Sequence, residues 1–132
     1  MTDLRLDDER LWDLAAEVIG KGGLFEFRAR GYSMYPCIAD GDRVKLGPLA
    51  ASGPALGEIV LARSASGLRL HRVVAQGKCL RLRGDAQPGP GEEIGHGNVC
   101  GRVLAVQVSP LQRCLRRLRT LLRRLNTWIH RS

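Results

Sequence analysis

The sequence predicts one mainly β domain of the α+β class, with a helix at each end. Its 132 residues suffice for one compact core but not for two ordinary domains. Sixteen glycines, six prolines and only two each of Trp, Tyr and Phe favour short strands joined by many turns. Short runs of alternating polar and apolar residues, separated by turn-rich segments, indicate the same class.

The chain divides into three predicted segments: an N-terminal helix and turn (1–23), a β-rich domain (24–108) and a basic amphipathic helix (109–132). "GKGG" at Gly20 to Gly23 is expected to end the first helix. Before it, apolar residues recur at helical spacing: Leu11, Leu14, Ala15, Val18 and Ile19. This pattern predicts a helix of about three turns that packs on the β-rich domain.

Six short strands are predicted in the middle segment. They are "LFEFRAR" (24–30), "RVKL" (43–46), "EIVLARS" (58–64), "LRLHRVVA" (68–75), "KCLRLRG" (78–84) and "VCGRVLAVQV" (99–108). Turn-rich segments separate them, including "DAQPGPGEEIGHGN", and a β-hairpin is predicted around Ser66 and Gly67. This spacing predicts a coiled antiparallel sheet or a partly open β-barrel.

The positive charge of the chain lies in its C-terminal helix. Residues 111–132 hold seven arginines and no acid, and without these seven, 14 of the 21 basic residues remain beside 13 acids. Leucines follow one another at alternating spacings of four and three residues. Three interpretations compete for residues 110–132: packing on this domain or a partner protein, binding to a membrane surface, and contact with nucleic acid. Arginines beside leucines, with Trp128 near the end, favour an anionic membrane surface, and nucleic acid is least favoured.

No secretory signal or membrane-spanning run is readable. The N-terminus "MTDLRLDDERLWDL" is acidic, and no stretch approaches about 18 uninterrupted apolar residues. We therefore expect a cytoplasmic protein, with peripheral attachment to a membrane surface as an alternative. The four cysteines are too widely spaced for a CxxC redox or zinc motif, and neither a metal nor a cofactor is predicted.

The stretch "GYSMYPCIADGDRV" contains the strongest candidate for a nucleophile, Ser33. A free serine hydroxyl needs a base, and His71 is the histidine that lies inside a predicted strand, on the side opposite Arg72. Asp85, the first acid after His71, is suited to orient the imidazole. Taken singly, each residue also has a plain structural explanation: a loop hydroxyl, a strand histidine of intermediate burial and a turn aspartate.

Five segments together resemble the conserved boxes of the signal peptidase I and LexA-type serine peptidase superfamily. They are "GYSMYPCIADGDRVKL", "LGEIVLARS", "LHRVV", "LRGDA" and "NVCGRVLAV", and they occur in the family's order and at similar spacing. The resemblance extends from Phe27 to Val106. It implies the fold of that superfamily and a serine endopeptidase that cleaves a precursor peptide or protein.

The resemblance also implies roles for particular residues. Ser33 is the implied nucleophile, and His71 is the implied base, as in the endoplasmic-reticulum and archaeal signal peptidases. Asp85 is the implied acid of the triad, and Glu92 is the alternative acid. Signal peptidases often have an oxyanion-binding serine where this chain has Gly31, so the oxyanion is expected to bind backbone N–H groups, including that of Ser33.

An apolar cleft beside the nucleophile is also implied, lined by Phe27, Met34 and Cys37, in which a peptide substrate binds as an added β-strand. Cys37 is expected to be a small buried packing residue, and Cys79 and Cys100 are expected in the cores of strands.

Two rival functions share this fold. One is a LexA-like or UmuD-like regulatory protein that cleaves itself, and the other is an inactive binding module. The Ala-Gly or Cys-Gly pair typical of self-cleavage is absent upstream of Ser33, and the only Cys-Gly pair, Cys100 and Gly101, lies in a predicted strand. The membrane anchor of signal peptidases is not readable in residues 1–23.

Overall fold

A computed structural model gives the fold of the chain. It describes the backbone of residues 2–108 and 110–131, and within these ranges it leaves undescribed the side chains of residues 2–7, 110–113, 116 and 126–131.

In the described residues, two α-helices flank seven strands. The elements are α1 (Thr2–Gly20), β1 (Phe25–Arg28), β2 (Arg43–Gly47), β3 (Ile59–Ser64), β4 (Gly67–Ala75), β5 (Leu80–Arg83), β6 (Glu92–Ile94), β7 (Val99–Gln107) and α2 (Pro110–Arg131). A single 3₁₀ turn, His96–Asn98, precedes β7.

All seven strands form one antiparallel sheet in the order β1-β2-β7-β3-β4-β5-β6. The sheet is open, with β1 and β6 at its edges, and the predicted α+β, mainly β class is confirmed. The hairpin predicted at Ser66 and Gly67 is also confirmed, because Ser64 pairs with Gly67 across a two-residue turn. Gly67 has φ of +114°, a conformation that glycine adopts readily and most residues do not.

Two elements differ from the sequence-based expectation. β6 lies in the segment that was predicted to be only a turn-rich connection, and it pairs Leu80 with Ile94 and Leu82 with Glu92. Three residues between glycine-rich turns are too few to show a strand period, so the buried contact of Ile94 decides the strand. Helix α1 also begins at Thr2, well before the first apolar residue on which its prediction rested.

The sheet has a different core on each face. On the face that we call the helix face, Ala15 and Ile19 of α1 pack against strand residues such as Val44, Leu46 and Leu61. The opposite face, which we call the far face, has a core of its own: Val60, Ala62, Val73, Leu80, Leu82, Ile94 and Val99. Successive residues of β3 alternate between the two cores, as the period of a strand requires.

The cysteines occupy less buried positions than expected. Cys37 and Cys79 are exposed, so the prediction that both are buried is wrong. Cys79 lies just before β5, outside the ladder, and Cys37 lies on a surface loop. Cys100 packs half-buried against the helix-face core, and burial raises the pKa of its thiol to about 11. All four cysteines are free.

Within residues 2–108 and 110–131, no helix is both long enough and apolar enough to cross a bilayer.

Candidate functional site

The loop that carries Ser33 is closed at its base by backbone hydrogen bonds. We call residues 30–41 the serine loop. Ala29 N donates to Asp42 O at 2.8 Å, and Gly41 N donates to Ala29 O at 2.8 Å. The fully buried Asp42 side chain accepts a hydrogen bond from Ala39 N at 2.9 Å. The Gly41-Asp42 turn is therefore structural, because these bonds hold the two ends of the serine loop together.

Further bonds shape the loop around the serine. Gly31 has φ of +88°, and its N–H donates to Asp40 Oδ1 at 2.8 Å. Among the described residues, no protein acceptor is bonded to the N–H of Ser33. An N–H group held in a fixed turn without an acceptor is what an oxyanion site requires.

Ser33 rests against the residue that follows β5. Its carbonyl oxygen accepts a hydrogen bond from Ala86 N at 2.9 Å. A Cβ atom added to Gly84 would lie 2.6 Å from Ser33 O and 3.1 Å from Ser33 Cβ. Only glycine allows this approach, so Gly84 forms the surface on which Ser33 sits. Gly84, the glycine of the "LRGDA" segment, is therefore a steric requirement.

His71 lies in the neighbouring strand, β4. His71 pairs with Val60 in the β3–β4 ladder, and the next residue, Arg72, pairs with Arg83, which is adjacent in sequence to Gly84. Directly opposed residues project from the same face, with Cβ atoms about 5 Å apart. His71 therefore projects from the face of Val60, whose side chain belongs to the far-face core, and it lies one residue before the strand partner of Arg83.

The imidazole of His71 is buried and incompletely bonded. The residue is 8% exposed, and its Nε2 atom has no hydrogen-bond partner among the described residues. No hydrogen bond joins Nε2 to Ser33 Oγ in the described structure. Catalytic hydrogen bonds are often long or poorly aligned before substrate binds, so the unbonded Nε2 atom is compatible with a role as a base.

The surroundings of His71 favour its neutral form. Burial lowers the pKa of His71 below 6.5, and the positive charge of Arg69 lowers it further. The carboxylates of Glu92 and Asp85 oppose this shift, with Glu92 the stronger of the two. The ring is therefore neutral at pH 7, which is the state that a general base needs.

Asp85 has a different partner from the one predicted. Its Oδ1 accepts a hydrogen bond from Arg72 Nε at 2.9 Å, and its Oδ2 accepts one from Arg72 Nη2 at 2.8 Å. The bond to Arg72 holds the pKa of Asp85 below its ordinary value. Arg72 follows His71 in β4 and projects from the opposite face, so the Asp85 carboxylate is committed to a group turned away from the imidazole. The alternation of "LHRVV" already set Arg72 opposite His71, but its partner 13 residues later was not identified.

Glu92, the alternative acid, lies on the face of His71. It belongs to β6, opposite Leu82, and two residues before Ile94, which is buried in the far-face core. Its own side chain is exposed. The next residue, Glu93, points the other way and forms a salt bridge of 2.9 Å with Arg81. Of the two neighbouring acids, Glu92 is thus the one whose carboxylate shares a face with the imidazole.

A groove of about 1170 Å³ on the helix side of the sheet is lined in part by Ser33, but not by His71. Phe27 and Met34 line it, whereas Cys37, which was also expected to line the cleft, lies outside it, 3.6 Å from Arg72 Nη2. One wall consists of β1 and the residues after it, and the other consists of Gly67 to Leu70 of β4.

Both strand walls of the groove have an unpaired side. β1 is an edge of the sheet, and β4 pairs with β5 only from Arg72 onward. The Leu68 N–H points away from β3 and donates instead to Asp8 Oδ2 of α1, at 3.4 Å. An extended peptide between the walls would find backbone donors and acceptors on both sides. Helix α1 also contacts the sheet through Trp12, whose ring centre lies 4.5 Å from the guanidinium carbon of Arg63.

Among the described residues, no three His, Cys, Asp or Glu side chains are grouped closely enough to hold a metal ion. No protein-family model matches this sequence, and no curated protein matches it.

Proposed function

We propose that this chain is a serine endopeptidase with the signal peptidase and LexA type of coiled sheet. The observation that carries the proposal is that Ser33 contacts Gly84 at the end of β5, next to the strand that holds a buried His71 with an unbonded Nε2 atom. A serine without a nearby base is a poor nucleophile, and a buried imidazole with an unbonded nitrogen has no evident structural task. If His71 acts as the base for Ser33, both the serine and the unbonded nitrogen are accounted for.

The proposed reaction uses the groups in the order of a serine protease. His71 Nε2 takes the proton of Ser33 Oγ while the oxygen attacks the carbonyl carbon of the substrate peptide bond. The oxyanion that forms is stabilised by the Ser33 N–H. The imidazolium then gives its proton to the leaving amine, and the peptide bond breaks. Water, deprotonated by the same imidazole, releases the acyl group from Ser33 in the second half of the reaction.

We assign different tasks to the two carboxylates. Glu92 supports the imidazolium, because it lies on the face of His71 and raises the pKa of His71 more than Asp85 does. Asp85 is a positioning residue. Through Arg72 it connects β4 to the turn at Gly84 to Ala86, on which Ser33 rests.

The substrate in this proposal is an extended segment of another chain. The groove supports it because Phe27 of the edge strand β1, Leu68 of β4 and Ser33 all line it. Cleavage of a separate chain is favoured over self-cleavage by the position of the Cys100–Gly101 peptide. It lies inside β7, where Gly101 is buried and pairs with Leu61 of β3.

A serine-directed fluorophosphonate probe tests the proposal. We expect it to label the wild-type protein and Ser66→Ala, a control serine that lines the same groove, but not Ser33→Ala. His71→Gln should slow labelling by about 100-fold, the usual contribution of a general base. A peptide library read by mass spectrometry should show cleavage with the same dependence. Labelling that survives Ser33→Ala, or the absence of both labelling and cleavage in the wild type, would remove the peptidase function.

A further inference from the structure

Helix α2 presents a continuous apolar face that its own domain does not cover. At 3.6 residues per turn, its five described leucines fall within an arc of about 120°: Leu115, Leu118, Leu121, Leu122 and Leu125. They are 41% to 62% exposed. None of the five belongs to either core of the sheet.

The rest of the helix circumference is positively charged. The four arginines with described side chains, Arg117, Arg119, Arg123 and Arg124, fall on an arc outside that of the leucines. Residues 111–132 contain no acid. The helix therefore combines an apolar stripe with positive flanks, which is the pattern of helices that lie in a membrane interface.

The contact between α2 and the sheet domain uses an arginine. Arg119 donates a hydrogen bond to the Tyr35 hydroxyl, and its guanidinium lies 5.7 Å from the centre of the Tyr35 ring. By helical geometry Arg119 borders the leucine arc without being part of it. The domain thus holds the helix by its polar flank and leaves the leucine face open.

We propose that α2 binds the surface of an anionic bilayer, with its axis in the membrane plane, the leucines among the acyl chains and the arginines on lipid phosphates. Two other occupants fit less of the helix. Nucleic acid would use the arginines and leave the leucines in water, and a hydrophobic protein groove would bury the leucines without using the uninterrupted positive charge. Because Tyr35 is two residues from Ser33, the serine loop lies at the lipid surface when α2 is bound. The lipid binding itself does not depend on the proposed peptidase function.

Vesicle flotation of the full chain tests this proposal with a matched pair of variants. Leu122→Asp places a charge on the leucine face, and Leu56→Asp makes the same change at a loop leucine of similar exposure, 62% against 60%. We expect the wild type and Leu56→Asp to float with phosphatidylcholine vesicles that contain phosphatidylglycerol, and not with phosphatidylcholine alone. Leu122→Asp should bind the anionic vesicles at least roughly tenfold more weakly. Equal binding by both variants, or no flotation of the wild type, overturns the proposal.

A competition arm separates lipid from nucleic acid. Arg123→Gln with Arg124→Gln should weaken vesicle binding, and so should raised salt, because both reduce attraction to anionic lipid. Duplex DNA or single-stranded RNA should not displace the protein from vesicles. Displacement by either polymer, together with polymer binding that Leu122→Asp leaves unchanged, would assign α2 to nucleic acid instead. Circular dichroism of each variant checks that the helices and strands are retained.

Discussion

Arg72 donates two charge-assisted hydrogen bonds to Asp85, of 2.9 Å from Nε to Oδ1 and 2.8 Å from Nη2 to Oδ2. Both side chains are mostly sheltered from solvent, 31% and 20% exposed. Arg72 adds a third bond of 2.7 Å to Gly57 O. The pair joins β4 to the turn after β5, where Ala86 N holds the carbonyl of Ser33. Asp85, expected from the sequence to orient the imidazole, thus binds Arg72 beside the turn that contacts Ser33.

Substitutions of Asp85 and Glu92 should have different effects. The first should mainly lower stability, and the second should mainly slow the labelling of Ser33. Asp85→Asn weakens the bonds to Arg72 and should lower the free energy of unfolding by about 1–2 kcal/mol. Because the folded protein lowers the pKa of Asp85, its stabilisation is present above the ordinary value of 3.8 and is lost as the pH falls below it. Denaturant unfolding at several pH values measures both effects.

Glu92→Gln should instead leave stability within about 0.5 kcal/mol, because the side chain is exposed. It should slow the labelling of Ser33 by roughly tenfold, because the imidazolium loses its carboxylate. Glu93→Gln, on the other face of β6, is the control and should have little effect on labelling. If Asp85→Asn stops labelling without loss of stability while Glu92→Gln does nothing, Asp85 is the acid and the assignment of Glu92 is wrong.

Adding one methyl group at Gly84 should displace the nucleophile. Gly84→Ala places a Cβ atom 2.6 Å from Ser33 O, and backbone has to move. We expect labelling of Ser33 to fall by at least roughly 100-fold, since small displacements of catalytic groups have effects of this size. Gly97→Ala, where an added Cβ meets nothing within 4 Å, should label normally. Normal labelling of Gly84→Ala would contradict the arrangement of Ser33 on Gly84.

The pH dependence of labelling should follow the imidazole of His71. Since its pKa lies below 6.5, the labelling rate should fall to half its maximum at a pH below 6.5. Arg69→Gln should move this midpoint to higher pH, because Arg69 lowers the pKa. Glu92→Gln should move it to lower pH for the opposite reason. The NMR titration of the His71 ring gives the same midpoint independently of any reaction, and a midpoint above 6.5 would be inconsistent with burial as its cause.

The same shift contributes to acid unfolding. As the pH falls below 6.5, the unfolded chain binds a proton at His71 before the folded protein does. Stability is therefore complete above pH 6.5 and is lost progressively below it. His71→Gln should reduce the slope of unfolding free energy against pH in this window, while a slope unchanged by the substitution would mean that His71 titrates alike in both states.

Asp42 should matter for stability. Its side chain is fully buried and accepts the N–H of Ala39, so Asp42→Ala leaves that donor without its acceptor. We expect a loss of about 2 kcal/mol in unfolding free energy. The exposed Asp13 of α1 provides the control, and Asp13→Ala should change stability by less than about 0.5 kcal/mol. Equal effects of the two variants would show that the base of the serine loop does not rely on Asp42.

Asp8 should restrain substrate binding. Its carboxylate accepts a hydrogen bond from the Leu68 N–H, and an inserted peptide strand would need that donor. Asp8→Ala should therefore raise kcat/KM for a peptide substrate a few-fold, mainly through a lower KM. Glu9→Ala, at the neighbouring groove residue, should leave kcat/KM unchanged. A fall in kcat/KM with Asp8→Ala would mean that the carboxylate helps to bind the substrate.

Local sequence patterns were sufficient for much of the fold. Strands of four or more residues carry enough alternation to be recognised, and glycine at positive φ marks turns such as the one at Gly67. β6 was missed because its three residues carry too short a pattern, and burial of Ile94 against Leu80 exists only once β5 is in place. The same reason explains the exposed cysteines, since burial depends on what packs nearby and not on the residue type.

By itself, the sequence identified the candidate groups: Ser33 in a loop, His71 inside a strand, the candidate acids Asp85 and Glu92 after it, and an arginine- and leucine-rich helix at the end. Alternation in β4 also determined that His71 and Arg72 face opposite ways. Only the tertiary structure decided which groups meet. In the folded protein, Ser33 contacts Gly84, Asp85 binds Arg72, and Glu92 lies on the face of His71. Such pairings depend on strand register and on close approach between segments far apart in the chain, and neither is encoded in a local pattern.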